Sequence, residues 1–99
     1  MLTSKQRAYL RSLANGLEPI VHAGKGGISE AMVKQADDAL TARELIKGKT
    51  LETAPDTARE TAEKMAEAVG AEVVQVVGRV WVLYRKNEKE PQIVLPKAR

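Results

Sequence analysis

The chain has 99 residues, the size of one compact domain, which argues against two lobes with a cleft between them. Hydrophobic residues make up 43% of the chain and charged residues 29%, a balance that supports a small core and argues against both disorder and a membrane protein. The lack of Cys excludes disulfide scaffolds, thiolate zinc sites and cysteine nucleophiles, and the net charge of +3 is only a weak indication of a polyanionic partner.

The beginning of the chain predicts a helix and then a strand. Thr3 followed by Gln6 is the pattern of a capping box, and leucines then recur at three- and four-residue steps. We expect a first helix from Ser4 to Asn15, with Gly16 as its stop. The apolar run from Pro19 to Ala23 predicts a short first strand that enters a glycine cluster.

The middle of the chain predicts a second helix and a second strand. Ser29 is placed to cap the helix, and Met32 and Leu40 belong to its apolar face. Within residues 45–51, Ile46 and Gly48 alternate with lysines, which is typical of a strand with one buried face. We expect Lys47 and Lys49 on its other face, toward water or a ligand.

The last part of the chain predicts a third helix and a hairpin. Thr57 and Glu60 match another capping box, and Gly70 is placed as the end of that helix. Residues 72–77 and 80–85 have the character of two strands. The two residues between them begin with Gly, which is typical of a type II′ turn.

Pairing Val77 with Val80 in this hairpin determines which side chains share a face. The predicted core face holds Val74, Val76, Trp81 and Leu83, and a more open face holds Val73, Gln75, Val82 and Tyr84. Trp81 is therefore expected in the core, whereas Tyr84 is the better candidate for stacking on a nucleobase.

The elements follow the order α-β-α-β-α-β-β, which predicts a two-layer α/β domain with a four-stranded mixed sheet. One domain is expected over residues 1–99, with residues 86–99 as a charged linker and a short apolar tail. The first residues carry no apolar targeting segment, and nowhere do eighteen apolar residues occur in a row. We expect a cytoplasmic monomer without membrane attachment.

The strongest local motif is the glycine loop formed by Gly24, Lys25, Gly26 and Gly27. A loop that leaves a strand and enters a helix exposes backbone N–H groups that favour phosphate, and Lys25 adds a full charge. The residue after Lys25 excludes a Walker A loop, and the glycine spacing excludes a dinucleotide fingerprint. What remains is a Gly-x-x-Gly loop of the kind that clamps a nucleic-acid backbone in KH modules, or a simple tight turn.

His22, the only histidine, directly precedes this loop. It is either a structural histidine or a hydrogen-bond donor to a phosphate held by the loop. No second histidine accompanies it and no paired acid and base is evident, so we predict no catalytic residues, no metal and no cofactor.

The charges are unevenly distributed along the chain. Residues 30–44 and 52–72 together carry −6, so the other segments carry +9. If the basic side chains of those segments converge on one side, they form the phosphate-binding surface expected for RNA or DNA; otherwise they belong to an ordinary mixed surface. They include Lys5, Arg7, Arg11, Lys25, Lys47, Lys49, Arg79 and Arg85.

Four stretches of the sequence together resemble a known family. They are Leu2 to Arg11, Pro19 to Ser29, Glu44 to Lys47 and Gln75 to Arg85. Over nearly the whole chain they resemble the CRM domain, named for chloroplast RNA splicing and ribosome maturation, in its stand-alone bacterial form, the YhbY family. The resemblance implies a fold similar to the C-terminal domain of translation initiation factor three, with an added N-terminal helix.

The resemblance also implies RNA binding, and bacterial members of the family are associated with precursors of the large ribosomal subunit. The family's loop falls on Gly24 to Gly27, and its basic positions match Lys5, Lys47, Lys49, Arg79 and Arg85. We therefore expect a non-enzymatic protein that acts in large-subunit assembly and binds structured ribosomal RNA through the loop and a basic surface of sheet and helix.

Two alternatives to this function remain open. One is a protein-interaction module on the ribosome or its assembly intermediates, in which the open sheet face and the patch Ile93 to Leu95 dock a protein and no RNA is contacted directly. The other is a small enzyme that acts on a phosphorylated substrate at the glycine loop. Because the chain has one Trp, two Tyr and no Phe, RNA recognition should rest on backbone phosphates and shape.

Overall fold

The computed structural model describes residues 2–97, so the last two residues of the predicted tail lie outside the described residues. In chain order the elements are α1 (Ser4–Ala14), β1 (Val21–Ala23), α2 (Glu30–Arg43), β2 (Leu45–Thr50), α3 (Ala58–Val69), β3 (Glu72–Val77) and β4 (Val80–Tyr84). The order α-β-α-β-α-β-β predicted from the sequence is confirmed.

Each helix begins at its predicted cap. The N–H of Gln6 donates to Thr3 Oγ1 at 3.1 Å, and the N–H of Thr3 donates back to Gln6 Oε1 at 3.1 Å. Thr57 and Glu60 form the same reciprocal pair at the start of α3, and Ser29 caps α2 in the one-sided form. These caps satisfy N–H groups that have no partner within the helix.

The four strands form one mixed sheet in the order β1-β2-β4-β3. β1 and β2 are parallel, and β4 is antiparallel to both of its neighbours, β2 and β3. The ends of β1, β2 and β3 and the start of β4 therefore lie together. We call this region the loop end of the sheet; it carries the glycine loop (residues 24–27), the β2–α3 connection (residues 51–57) and the β3–β4 turn (residues 78–79).

The main core lies between one face of the sheet and the helices α2 and α3. Trp81 is fully buried there, and its indole N–H donates to Thr50 Oγ1 at 3.0 Å. The ring lies against Gly48, where a Cβ would overlap the Trp81 ring carbons Cη2 and Cζ2. The core position predicted for Trp81 is confirmed, and it depends on the missing side chain of Gly48.

The helix α1 and the C-terminal tail cover part of the opposite face. The cluster under them consists of Leu10, Ala14, Leu45, Val74, Val82 and Tyr84, with Ile93 and Leu95 packed against it. Tyr84 is only 5% exposed. The prediction that Tyr84 lies on an open face is wrong, because α1 and the tail pack over this part of the sheet.

A β-bulge in β3 also changes the predicted faces. Val77 pairs with Val80 as predicted, but the register shifts between Val73 and Gln75. An extra residue in one strand reverses the alternation of side chains beyond it. Val73 consequently packs against the main core and Val74 lies under α1, the reverse of the prediction.

Glu44 connects the end of α2 to the C-terminal tail. Its φ of 66° is the only positive φ of a non-glycine residue within residues 2–97. The buried carboxylate accepts hydrogen bonds from the N–H groups of Asn87 (2.7 Å), Gln92 (2.6 Å) and Ile93 (2.7 Å). Burial alone would raise the pKa of Glu44, but these N–H donors and the charge of Lys86 outweigh it and lower the pKa.

Candidate nucleic-acid interface

The glycine loop is a tight turn with an exposed tip. The N–H of Gly27 donates to the carbonyl of Gly24 at 2.9 Å, and Gly27 has a φ of 69°, which side chains rarely allow. Lys25 and Gly26 are exposed at the tip, and a Cβ on Gly26 would meet no atom within 4 Å. The tip therefore presents one lysine and an unobstructed stretch of backbone to the solvent.

The β2–α3 connection supports this loop from below. A Cβ on Gly24 would lie 3.5 Å from Leu51 Cδ1, and one on Gly27 would lie 3.1 Å from Pro55 Cγ. The N–H of Leu51 also donates to the carbonyl of Ala23 at 2.8 Å. These contacts position the loop relative to the ends of β1 and β2.

A row of side chains leads from the loop across the sheet, on the face opposite the main core. His22 is the cross-strand neighbour of Lys49, and Lys49 is the neighbour of Val80. Cross-strand neighbours share a face, and both His22 and Lys49 are exposed. Lys47 is half-buried on the same face, two residues further from the loop. We call this the loop-end surface, made of His22, Lys25, Lys47, Lys49 and Arg79.

His22 is not a buried structural histidine. Its imidazole is exposed and makes no side-chain hydrogen bond to any of residues 2–97. The imidazole lies beside Lys49, two residues before the glycine loop, where it can donate a hydrogen bond to an anion.

Arg79, in the β3–β4 turn, is held by an exposed ion pair with Glu52. The distance between Arg79 Nη2 and Glu52 Oε1 is 3.2 Å, and both side chains are more than half exposed. The hydrogen bond from Arg79, and then its charge, lower the pKa of Glu52. Because exposed ion pairs contribute little free energy, a phosphate can replace Glu52 as the partner of Arg79.

Arg85 does not belong to the loop-end surface. It follows β4 at the opposite end of the sheet, where its Nη1 lies 2.5 Å from Asp37 Oδ1 and donates to the carbonyl of Val69 at 2.8 Å. Its Nη2 donates to Thr41 Oγ1 at 2.9 Å. The guanidinium therefore connects β4 to α2 and α3, and it is not free to follow an RNA backbone as the sequence suggested.

The basic residues of α1 are also separated from the loop. Arg7 donates to the carbonyls of Val73 and Val74 at the β-bulge, and Arg11 is half-buried one turn later. Lys5 is exposed near the start of α1, the end of the helix farther from the glycine loop. The predicted basic residues thus divide into the loop-end surface and a dispersed set.

Tyr84 cannot serve as the predicted stacking platform in this structure. Its ring is buried under α1 and the tail, and burial raises the pKa of its hydroxyl, with smaller effects from the charges of Glu44, Glu72 and Glu88. Trp81 is buried in the main core. Base contacts therefore have to come from other residues.

A groove that the sequence did not predict lies beside the loop-end surface. It lies between the end of α1 and the sheet, has a volume of about 290 Å³, and is lined by Ala14, Asn15, Lys47, Gln75, Val77, Val80 and Val82. The predicted alternation placed Gln75 on this face but gave it no role, and only the packing of α1 creates the second wall. Within residues 2–97, no three His, Asp or Glu side chains are grouped closely enough to hold a metal ion.

Comparison with known proteins assigns the chain to a family. The family model of the CRS1/YhbY (CRM) domain matches residues 2–85. The chain belongs to the CRM domain family. This assignment confirms the resemblance found in the sequence, and the matched residues contain the glycine loop and every residue of the loop-end surface.

Relatives of this CRM domain protein match nearly its full length. "Probable RNA-binding protein YqeI" of Bacillus subtilis is 42% identical over 96 residues, which are 97% of this chain and 100% of the relative. A Haemophilus influenzae protein named "RNA-binding protein" is 34% identical and covers 97% of this chain and 96% of its own length. A Staphylococcus aureus protein, described with its solution structure as a candidate RNA-binding protein, has a TM-score of 0.81 and 50% identity, covering 97% of this chain and 100% of its own.

No helix among residues 2–97 is long and apolar enough to cross a membrane.

Proposed function

We propose that this CRM domain protein binds RNA and does so through the loop-end surface. The proposal rests mainly on one observation: the exposed glycine loop and the exposed side chains of His22 and Lys49 form one continuous surface. Within residues 2–97, Lys25 and Lys49 form no ion pair, whereas Lys34 on α2 is paired with Asp38 at 3.2 Å. Unpaired cations on a continuous surface favour a polyanion, and the names of the relatives support RNA as that polyanion.

In the proposed mode of binding, the loop holds one phosphate and the sheet follows the adjacent backbone. N–H groups of the loop and the Lys25 ammonium contact the first phosphate, and Gly26 allows the backbone to approach closely. Lys49 and Lys47 then contact neighbouring phosphates, and Arg79 exchanges its carboxylate partner for a phosphate. Because the rings of two of the three aromatic residues are buried, recognition rests mainly on backbone and shape.

We propose further that the RNA belongs to the large ribosomal subunit or its precursor particle, and that the protein acts there as a monomer without catalysis. The support for this partner is the resemblance to stand-alone bacterial CRM domains. Crosslinking in cells, followed by sequencing of the bound RNA, tests it. Crosslinks concentrated in large-subunit RNA and co-sedimentation with its precursors are expected; crosslinks confined to other RNAs would contradict this partner.

The apolar patch of the tail gives little support to the protein-interaction alternative. Ile93 and Leu95 of the proposed docking patch are partly buried against the cluster under α1. Only Val94 remains well exposed, at 83%. Contacts within the chain thus account for much of the apolar surface of Ile93 and Leu95.

Filter binding to ribosomal RNA fragments across a salt series tests the proposed interface. We expect the wild-type affinity to fall steeply with salt, and Lys25→Glu to weaken binding and reduce the log–log salt slope by about one. Lys34→Glu makes the same charge change on α2 and is the matched control, so its affinity should stay close to wild type. Salt-independent binding, or equal losses in the two variants, would contradict the proposal.

A further inference from the structure

The groove between the end of α1 and the sheet has the properties of a nucleobase site. We propose that it holds one unpaired nucleobase of the bound RNA. The inference rests on the proposed RNA binding and adds to it a subsite for a base, where the loop-end surface provides only contacts to phosphates.

The lining and volume of the groove suit a small, mostly apolar group. Its apolar lining comes from Ala14 of α1, Val77 of β3, and Val80 and Val82 of β4. Its volume of about 290 Å³ lies just below the usual range of roughly 300–1,000 Å³ for small-molecule pockets, which suits one base better than a larger ligand. Proteins that take up unstacked bases hold them between apolar or aromatic side chains in the same manner.

Two carboxamide side chains at the groove can recognise the edge of a base. Gln75 and Asn15 both line it, and neither side-chain amide is hydrogen-bonded to another of residues 2–97. A carboxamide presents a donor and an acceptor side by side, which matches the paired acceptor and donor on a base such as adenine. These amides provide polar contacts that an apolar ligand would leave unused.

The charges around the groove favour a nucleotide as its occupant. Lys47 lines the groove, and the row formed by His22, Lys49, Val80 and Val77 joins the groove to the glycine loop. This row crosses three strand spacings, roughly 14 Å. None of the lining residues is acidic. A base in the groove would therefore have its phosphate close to lysines that already belong to the loop-end surface.

Two RNA hairpins test the proposal, one fully paired and one identical except for a single unpaired adenosine. We expect wild-type protein to bind the second hairpin roughly tenfold more tightly, because only its base can leave the helix without breaking a pair. Gln75→Ala should remove this preference and leave the affinity for the paired hairpin unchanged. Gln92→Ala, at an exposed glutamine of the tail, is the matched control and should keep the preference.

A second variant guards against an effect of Gln75→Ala on the sheet. Asn15→Ala changes the other wall of the groove, outside the strands, and should also reduce the preference. Equal wild-type affinity for the two hairpins would overturn the proposal, and this result is also expected if the groove binds a peptide instead of a base. A preference for the unpaired adenosine that survives both substitutions would overturn it as well. If neither hairpin binds, the proposed function itself fails, so the two failures are distinguishable.

Discussion

Gly48 is the residue whose identity the packing restricts most tightly. Its α-carbon faces the ring of Trp81, and any side chain would overlap that ring. We expect Gly48→Ala to lower the free energy of unfolding by roughly 3 kcal/mol or more, because backbone and ring must move apart. Urea unfolding measures this. Gly26→Ala is the control, since a Cβ there meets nothing within 4 Å. If Gly48→Ala were as stable as Gly26→Ala, the packing of Gly48 against Trp81 would be contradicted.

Glu52 is the acidic residue that would compete with RNA at the proposed loop-end site, because it pairs with Arg79. We expect Glu52→Gln to raise RNA affinity roughly two- to threefold at low salt by releasing the guanidinium. Glu63→Gln, on α3, removes an acidic group of the same kind and should have little effect. Filter binding of both variants checks this, and unchanged or weaker binding by Glu52→Gln would show that Arg79 does not contact the RNA.

The sequence predicted single residues well where the chemistry is local. Thr3, Ser29 and Thr57 were identified as caps because each bonds to groups within three residues. The partners of long basic side chains were not predicted, because Arg85 pairs with Asp37, which lies 48 positions away in the chain. Such a partner depends on how helices and strands pack, which no local pattern contains.

At the scale of elements, Glu44 links α2, β2 and the tail. We expect Glu44→Gln to destabilise the docked tail by roughly 1–3 kcal/mol, because a neutral amide accepts fewer and weaker hydrogen bonds from the three tail N–H groups. Hydrogen exchange at residues 87–93 measures this. Glu88→Gln, at an exposed position in the same segment, is the control and should leave the exchange unchanged.

The pH dependence of the tail follows from the same carboxylate. Its pKa is lower in the folded protein than in the unfolded chain, so its contribution to stability is complete above the unfolded pKa and is lost as the pH falls through the folded pKa. Tail amides should therefore exchange faster relative to the core in the wild type as the pH falls below the ordinary carboxyl pKa of 4.5. A Glu44→Gln protein with the same pH dependence would contradict this role of Glu44.

The order of elements was predictable, whereas the packing of α1 was not. Capping boxes and apolar periodicity define where helices and strands occur. The apolar side of α1, with Leu10 and Ala14, could cover any apolar surface, and its position over Val82 and Tyr84 depends on the tertiary fold. The bulge in β3 added a second error, since it places Val74 on the face that the simple alternation assigned to Val73.

For the whole molecule, the arrangement of charge matters more than the net charge of +3. The segments that contain α2 and α3 carry −6, and their lysines are engaged with acids, as in the pair of Lys64 with Asp56 at 3.2 Å. The loop-end surface lies on the face opposite the main core and carries lysines without such partners in the described part of the chain. The sequence indicated this separation of charge, but only the sheet order shows which basic residues lie together.

In the proposed mode of binding, RNA occupies the loop end of the sheet and leaves the helical side free. The most direct measurement is amide chemical-shift mapping of the labelled protein during titration with a ribosomal RNA fragment. We expect signals from residues 22–27, 47–49 and 75–80 to shift or broaden, while those around Lys34 and Lys64 on α2 and α3 stay unchanged. Changes centred on α2 and α3, with residues 22–27 unaffected, would contradict it.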